Sequence, residues 1–292
     1  MRKHIVLGLI FLVFISQIHL TDYNTNNSTD QAEPSSGFNI SDDSSEYFDA
    51  IVRNSLINGT ILIDGESKVR FENVSLLNSI VIVRGNAKLE IVNSSASYFM
   101  AYITGNGELQ LRNFTTDNGR IFVGGNGLLV VDNGFNSSYT YLEAYGRSRI
   151  RIYREVYGTV SIVVGNMTRL YMEHIKGSDE DDGGLDLTLY GDSFASLYDF
   201  NNKNFSNIRA FDSSQAILST LNADSVYLYD NASIVTNDTN IGSMEAYGGS
   251  NLIVVASNIS NFENDYVGVN GYFSWTNITC LLYTSPSPRD RG

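Results

Sequence analysis

The chain has 292 residues, of which 32 are acidic and 19 basic, so its formal net charge is −13. This excess of acid disfavours nucleic acid as a partner, and we expect none. The one cysteine, Cys280, excludes a fold stapled by intramolecular disulfides, so a chain of this length must be held by its apolar interior.

The N-terminal region divides into three predicted segments. Arg2 and Lys3 precede an apolar run at 5–15, which is the layout of a cleaved secretory signal peptide, and we place that peptide at residues 1–20. An uncleaved anchor is the alternative, although the run is shorter than the ~20 apolar residues that span a bilayer. Residues 21–43, rich in Asn, Ser, Thr and Asp, predict a disordered polar linker.

Residues 44–57 predict an N-terminal cap over the next part of the chain. Asp43 and Glu46 resemble a capping box, and apolar residues follow at helical spacing, so we expect a short helix. An extra strand is the alternative. Such a cap would cover the open edge of the structure that follows, because an exposed edge invites aggregation.

From residue 58 to residue 279 the sequence repeats about every 20 residues. Glycine dominates the predicted turns because a tight corner often needs positive φ, and asparagine is its usual substitute. A unit this short cannot bury its own apolar face, so the repeats must stack on one another. The predicted corner residues are Gly65, Gly85, Gly105, Gly125, Gly146, Gly165, Gly191, Ser213, Asn231, Gly249 and Gly271.

After each early turn, apolar residues alternate with polar ones at the same places in successive repeats. This recurrence predicts an all-β fold, a single-stranded parallel β-solenoid of about eleven coils, near 50 Å long at roughly 4.8 Å per coil. A β-sandwich, which also has many short strands, is the alternative. Stacking should place Lys88 beside Glu108 and Arg70 beside Glu90. The inward pairs are Val69 and Phe71, Leu89 and Ile91, Leu109 and Leu111, Leu129 and Val131, and Ile150 and Ile152.

Asparagine is abundant, and 14 of its positions are N-x-S/T sequons. The excess indicates an exported glycoprotein, with compositional clustering as the alternative. Equal spacing puts one set of asparagines at the same place in successive coils, too close together for glycans, so we predict a hydrogen-bonded amide ladder there: Asn73, Asn93, Asn113 and Asn133. Glycans are expected instead on the linker and on isolated turns: Asn26, Asn39, Asn136, Asn166 and Asn204.

The sequence offers little catalytic chemistry. His174 is the one histidine beyond the signal region, and neither a histidine cluster nor a set of cysteines suggests a zinc or copper site. Asp212 and Asp230 share a turn position in neighbouring coils, and Asp179, Asp181 and Asp182 lie in the acidic insertion 176–184. We expect no cofactor, although either carboxylate group could take Ca²⁺. Ordinary turn aspartates and a solvated acidic loop are the simpler interpretations.

The most distinctive predicted surface is aromatic. Alternation in the later repeats directs Phe211, Tyr229 and Tyr247 outward as one stripe, and aromatic rings with polar rims suit sugar faces. A stripe that only packs on itself is the alternative. The strands at 80–83, 100–103 and 120–123 are apolar on both sides, so something should cover their outer face, such as the cap, a further domain or a partner chain.

The ladder of corners from Gly65 to Gly271, with its stacked aliphatics, resembles the right-handed parallel β-helix superfamily, which includes adhesin-like surface proteins and polysaccharide lyases. The resemblance implies a right-handed solenoid. No catalytic motif accompanies it, so it implies no catalytic residue. The last stretch, residues 280–292, resembles a translated transposase-type sequencing adaptor, and we therefore expect the native sequence to be truncated near Thr279.

These observations favour a secreted or cell-surface protein that acts without catalysis as a stalk, adhesin or glycan-binding module. Its expected partners are an extracellular glycan or a surface protein, with lateral or homo-oligomeric association as a further expectation. The alternative is a polysaccharide lyase or glycoside hydrolase of the parallel β-helix class, which should show acids together with Arg or Lys on one face.

Overall fold

The computed structural model describes residues 48–177, 184–201 and 203–264, and the backbone of residues 273–274 and 277–280. Every strand pairing among them is parallel, within one continuous sheet. The strands in chain order are β1 (Ala50–Arg53), β2 (Leu56–Ile63), β3 (Lys68–Glu72), β4 (Ser75–Val83), β5 (Lys88–Ser97), β6 (Phe99–Ile103), β7 (Glu108–Val123), β8 (Leu128–Ala144), β9 (Arg149–Val164), β10 (Arg169–Lys176), β11 (Leu185–Leu189), β12 (Phe194–Asn201), β13 (Asn204–Ala210), β14 (Gln215–Ser219), β15 (Asn222–Leu228), β16 (Ser233–Asn237), β17 (Asn240–Ala246), β18 (Asn251–Val255), β19 (Asn258–Asn264), β20 (Phe273–Ser274) and β21 (Asn277–Cys280).

The protein is a parallel β-solenoid of about ten turns. Each coil supplies three segments, which stack into three faces. Face A holds the segments equivalent to 88–92 and 108–112. Face B is the short connection equivalent to 114–116, and face C holds the segments equivalent to 120–123. Like-on-like stacking of every segment excludes the β-sandwich alternative, whereas the right-handed sense stays a prediction.

Two corners with left-handed backbone close each coil. The glycine corner joins face C to face A, and its carbonyl accepts the amide of the next coil, as in Asn106 N to Gly85 O at 2.8 Å. The asparagine corner joins face A to face B. Its residues are Asn54, Asn73, Asn93, Asn113, Asn133, Arg154, His174, Asp199, Thr220, Asp238 and Ala256, all with positive φ. Glycine and asparagine therefore mark two different corners, although both satisfy the same conformational demand.

Four predicted positions of the glycine corner were wrong by one residue. The positive-φ residues are Asn166, Asp212, Asp230 and Gly248, adjacent to the predicted Gly165, Ser213, Asn231 and Gly249. Asparagine and aspartate tolerate this backbone, so composition alone does not choose between neighbours in a pair such as Gly165 and Asn166. The predicted corner at Gly271 lies outside the described residues.

The core is a set of apolar rows that run along the axis. Leu89, Leu109, Leu129 and Ile150 occupy one row, and each is fully buried. The predicted inward pairs are all buried, from Val69 to Ile152. Each side chain thus packs on an equivalent side chain above and below, which stabilises the stack more than any one coil could stabilise itself.

The predicted N-terminal helix is replaced by a strand where the structure describes it. Residues 50–53 form β1, which pairs in parallel with β3 from Ala50 opposite Val69 to Arg53 opposite Glu72. The alternative of an extra strand is therefore correct for these residues, because a neighbouring strand offers backbone hydrogen bonds that an isolated short helix cannot match. Asp43 and Glu46 lie outside the described residues.

Opposite charges meet between coils on face A, as the stacking predicted. Lys88 lies 3.4 Å from Glu108, and Arg70 lies 3.3 Å from Glu90. Glu90 is only 3 % exposed and also lies 3.2 Å from Arg112, so a buried carboxylate is held between two guanidinium groups of neighbouring coils.

Coil length changes along the axis, and the strands of neighbouring coils stay paired in parallel, with register shifts at several places. Successive asparagines at the glycine corner are 20 residues apart, His174 and Asp199 are separated by 25, and Asn222 and Asn240 by 18. The acidic insertion 176–184 accounts for the longest step. Within the described part of the chain, no helix is long and apolar enough to cross a membrane.

Candidate functional site

An aromatic row runs along the edge of face C, at the position just before the glycine corner. Tyr190 stacks on Phe211 with ring centroids 5.0 Å apart, Phe211 on Tyr229 at 4.8 Å, and Tyr229 on Tyr247 at 5.3 Å. The interplanar angles are 12°, 7° and 11°. The predicted stripe Phe211, Tyr229 and Tyr247 is thus brought together, with Tyr190 as a fourth member.

The stacking decides which part of each ring meets solvent. Phe211 and Tyr229 each have a ring on both sides, so their faces are covered and only their edges and the Tyr229 hydroxyl point outward. Sugars bind best to exposed ring faces. The interior of the row is therefore a ladder that packs on itself, as the alternative interpretation held.

The row opens at Gly165. Backbone hydrogen bonds from Gly165 N to Ala144 O and from Tyr190 N to Val164 O place Tyr145, Gly165 and Tyr190 at one position in three successive coils. Gly165 has no side chain, and the Tyr145 ring lies over it: a Cβ built there would be 2.5 Å from Tyr145 Cε1. Tyr145 is 41 % exposed and Tyr190 is 40 % exposed. We call this opening the Tyr145–Tyr190 notch.

Polar groups line face C beside the row. Glu143 accepts hydrogen bonds from Tyr141 and Tyr145. Further along, Asn207 Nδ2 donates to Asp186 Oδ1 at 2.9 Å. Hydroxyl, amide and carboxylate groups therefore lie next to the exposed rings, which is the combination that orients a polar ligand on an aromatic surface.

Charged side chains also contact the aromatic residues nearer the C-terminal end of face C. The Arg209 guanidinium lies 5.8 Å from the Tyr227 ring centre, and Tyr247 Oη donates to Glu245 Oε2 at 2.8 Å. The face thus presents cation, carboxylate and hydroxyl groups within a few coils.

The tyrosines of this surface hold their protons tightly. Burial, together with the hydrogen bond to Glu143, raises the pKa of Tyr145 to about 12. For Tyr247 the hydrogen bond to Glu245 is the larger cause, and its pKa also rises to about 12. Burial raises the pKa of Tyr229. At neutral pH these phenols are hydrogen-bond donors.

The apolar strands before the row form a second part of face C. Ile80 is exposed, and Tyr102 stacks on Phe122 with centroids 5.1 Å apart and an interplanar angle of 11°. Tyr102 Oη also donates to Met100 Sδ at 2.9 Å. The predicted outward apolar surface is present, and what covers it stays a prediction.

The predicted carboxylate sites differ in what the structure shows. Asp212 and Asp230 are both exposed left-handed corner residues in neighbouring coils, with φ of 59° each. Asp212 Oδ2 accepts the Gly191 amide at 3.0 Å, which is ordinary turn chemistry. Asp179, Asp181 and Asp182 lie outside the described residues. Among the described residues, no group of three or more His, Cys, Asp or Glu side chains could hold a metal ion.

The predicted asparagine ladder is real at one step. Asn113 Nδ2 donates to Asn93 Oδ1 at 2.8 Å, whereas Asn133 Oδ1 accepts from Arg154 at 3.1 Å. Asn73 shares the corner conformation, with φ of 53°. All four predicted ladder asparagines share the left-handed backbone of the asparagine corner. The hydrogen bond between side-chain amides is present in addition at the Asn93–Asn113 step.

Two further amide ladders were not predicted. Asn126 donates to Asn106 at 3.1 Å and Asn106 to Asn86 at 2.9 Å, just after the glycine corner. The second begins at Asn204, whose amide oxygen accepts from Asn222 at 3.3 Å. Asn222 in turn accepts from Asn240 at 3.0 Å. The sequence did contain a pattern that predicts both ladders, because the asparagines of each set recur at one constant spacing, 20 residues in the first and 18 in the second.

The structure describes three of the five predicted glycan sites. Asn136 is exposed on β8, and Asn166 is an exposed left-handed corner residue. Asn204 belongs to a ladder, so its amide already has a partner. Asn26 and Asn39 lie outside the described residues. Glycosylation of all five stays a prediction.

Tyr190 and Tyr145 are the site residues that the sequence interpretation missed. The insertion at 176–184 lengthens the step before Tyr190, which hid its equivalence to Phe211. Taking Gly165 instead of Asn166 as the corner residue also shifted the register of that coil by one. Counting back four residues from the start of β12, as from β14 to Phe211, would have recovered Tyr190.

The coils define the class of protein, a parallel β-solenoid consistent with a parallel β-helix. Comparisons with protein-family models, with curated proteins and with solved structures gave no match.

Proposed function

We propose that this protein is a secreted or cell-surface β-solenoid that binds a glycan on face C and acts as a rigid stalk or adhesin, without catalysis. The observation that carries the proposal is the Tyr145–Tyr190 notch. There the aromatic row is interrupted, and two tyrosines remain about two-fifths exposed.

The physical argument concerns ring faces. Elsewhere in the row each ring covers the next, so the stacking energy is already used within the protein. At the notch, Tyr190 has a ring partner on one side, Phe211, and on the other side the Gly165 position, over which the Tyr145 ring lies. A pyranose ring can pack through its C–H groups against the exposed parts of Tyr145 and Tyr190, and Glu143 and the tyrosine hydroxyls suit the sugar hydroxyls.

The rest of the fold supports a mechanical role. Apolar rows, amide ladders and face A ion pairs all link neighbouring coils along the axis. A rod held by every coil can present the notch at a fixed distance from whatever anchors the chain. This rigidity supports the stalk or adhesin part of the proposal.

The proposal is tested by affinity electrophoresis of the full chain through gels that contain soluble xylan, hydroxyethylcellulose, laminarin or mannan. We expect retardation by at least one polymer, and the double variant Tyr145→Ala, Tyr190→Ala should weaken it about tenfold, equivalent to ~1.4 kcal/mol. The control is Tyr98→Asn, because Tyr98 is 66 % exposed, lies away from the row and has a left-handed φ that asparagine tolerates. Retardation by none of the polymers, or equal loss in the control, would overturn the proposal.

One observation favours the enzymatic alternative. His174 Nδ1 lies 2.7 Å from Asp199 Oδ2 at the asparagine corner, and both side chains are accessible. A histidine oriented by a carboxylate is a general-base arrangement. A polysaccharide lyase or hydrolase should release soluble oligosaccharides from one of the polymers and lose that activity in His174→Gln. Unchanged polymer length after prolonged incubation rules this alternative out for the substrate tested.

A further inference from the structure

We propose that face A carries a binding surface for an acidic polysaccharide, formed by Arg149, Arg151 and Arg169 with Arg147 beside them at the glycine corner. The three strand arginines lie on a different face from the Tyr145–Tyr190 notch, and the proposal does not depend on glycan binding there. We call these four residues the arginine patch.

The strand register brings the patch together. Arg149 and Arg169 are direct neighbours in β9 and β10, and Arg151 lies two residues further along β9. Ile150 and Leu170 alternate with them and are fully buried, so the arginines are on the outer side of face A. Neighbouring strands are about 4.8 Å apart, which places two guanidinium groups within reach of one extended polyanion.

The patch departs from the charge pattern of the rest of face A. Nearer the N-terminus several cations meet a carboxylate across coils: Lys88 meets Glu108, and Arg70 and Arg112 both meet Glu90. Among the residues that the structure describes, none of the four patch arginines forms an ion pair. Like charges directly opposite one another destabilise a sheet. Arg149 and Arg169 are such neighbours in a chain that has more acidic than basic residues, so their pairing is not explained by stability alone.

Two carboxylates of face A are paired with other cations, and Glu173 of β10 lies opposite Tyr153 rather than opposite a patch arginine. Glu108, in the same row as Arg149, binds Lys88, and Asp132 lies 3.6 Å from Arg154. The positive charge of the patch is therefore left for a ligand. Guanidinium groups pair with carboxylates and sulfates through two parallel hydrogen bonds, which gives both strength and orientation.

Aromatic residues beside the patch favour a sugar backbone. Tyr171 is the register partner of Arg151, and its ring lies 6.1 Å from that of Phe194 with an interplanar angle of 56°. Phe194 is in turn the register partner of Arg169. The tilted pair adds apolar surface next to the cations, as an anionic glycan requires for its ring and its charge together. A net charge of −13 opposes the longer and denser charge of nucleic acid.

The test measures binding of the full chain to immobilised polygalacturonate, dextran sulfate, neutral dextran and a short DNA duplex by surface plasmon resonance. We expect binding to at least one of the two acidic polysaccharides at about 50 mM salt, and much weaker binding at about 500 mM, because salt screens exposed charges. The polymer that binds better identifies the anion as carboxylate or sulfate. Binding to neither, or equal binding to neutral dextran or DNA, would overturn the proposal.

Variants separate the patch from general electrostatics. Arg149→Gln with Arg169→Gln should weaken binding at least about tenfold, because both variants remove a charge-assisted contact to the polyanion. The matched control is Arg53→Gln with Arg84→Gln, which also removes two charges, each from an exposed arginine that is already paired with a carboxylate, Glu72 and Asp64 respectively. Its affinity should stay within about twofold of wild type. If the patch variant binds as well as wild type while its melting temperature is unchanged, the proposal is wrong.

The two proposals fail independently. Tyr145→Ala with Tyr190→Ala should leave binding to the acidic polymer unchanged, and the arginine variant should leave retardation by neutral polymers unchanged. Loss of both activities in one variant, with its thermal unfolding intact, would contradict the assignment of two separate surfaces.

Discussion

The glycine corner allows a matched test of backbone strain at two adjacent residues. Gly125 has φ of 66°, and a Cβ there would lie 3.2 Å from Gly105 N and 3.3 Å from Gly105 O. Gly124 has no left-handed φ, and a Cβ there would meet nothing within 4 Å. We therefore predict that Gly125→Ala destabilises the protein and Gly124→Ala does not.

The expected difference follows from two effects. A left-handed backbone costs a residue with a Cβ about 1–2 kcal/mol. Both substitutions also restrict the unfolded chain, which stabilises the folded state by about 0.4–1 kcal/mol, but this gain is common to both and cancels in the comparison. Gly125→Ala should therefore be less stable than Gly124→Ala by at least about 1–2 kcal/mol, because the fixed backbone of Gly105 cannot move aside.

Urea denaturation followed by circular dichroism measures this difference, and amide exchange of residues 124–128 shows whether the loss is local, since solenoids do not always unfold in one step. Gly65→Ala separates strain from contact, because Gly65 has φ of 74° but open space around its Cβ position. Equal midpoints for the two adjacent variants would refute the argument that the corner needs glycine for its backbone.

Three further changes test other contacts. Glu90→Gln removes the charge of a carboxylate that is 3 % exposed and held by two arginines. The free energy of unfolding should fall by about 1–3 kcal/mol, which is less than for a fully buried ion pair because the two arginines reach solvent. A change below about 0.5 kcal/mol would contradict this prediction. Asn113→Asp replaces the amide that donates to Asn93 by a carboxylate oxygen, so at neutral pH the free energy of unfolding measured in urea should fall by about 1 kcal/mol. The loss should be recovered when the new carboxyl is protonated, because it can then donate again. The control Asn118→Asp should leave the free energy of unfolding unchanged. The pKa of Tyr247 is about 12 in the folded protein against 10.0 ordinarily, so its contribution to stability is complete below pH 10 and is lost as the pH rises toward 12. Glu245→Gln should lower that pKa toward 10.0 in an ultraviolet titration of the phenols, and no shift would mean that burial alone sets it.

Much of the fold could be predicted because, in a stacked repeat, the buried apolar residues recur at a constant spacing in the sequence. Leu109 and Leu111 recur at constant spacing, and both are fully buried, as are their equivalents in the coils beside them. The corners were harder, since Asn166 and Gly165 satisfy similar backbone demands and only the backbone hydrogen bonds decide between them. The N-terminal helix was wrong because tertiary pairing with β3 overrides a short local pattern.

The candidate site was predictable in position and not in geometry. Alternation correctly directed Tyr229 outward, but a coil spacing of about 4.8 Å forces neighbouring rings to stack, and that conceals the ring faces on which a sugar would pack. The two most exposed tyrosines of the row, Tyr145 and Tyr190, flank Gly165, where the regular stacking is interrupted, and a search for regularity overlooks such a position. The arginine patch was missed for a related reason, because stacking was expected to place opposite charges together.

The 25-residue step between His174 and Asp199 has a consequence for how such a molecule can change over time. β11 pairs with β9 without a register shift, and from Asp186 to Leu189 it pairs without interruption with β13, so the extra residues between β10 and β11 leave the face C pairing of the coils on either side in place. Each coil is therefore a repeat unit, and the connection between β10 and β11 is a site at which this unit tolerates an insertion. Loops of different length can therefore be accommodated there, while the side chains of faces A and C keep their alignment along the axis.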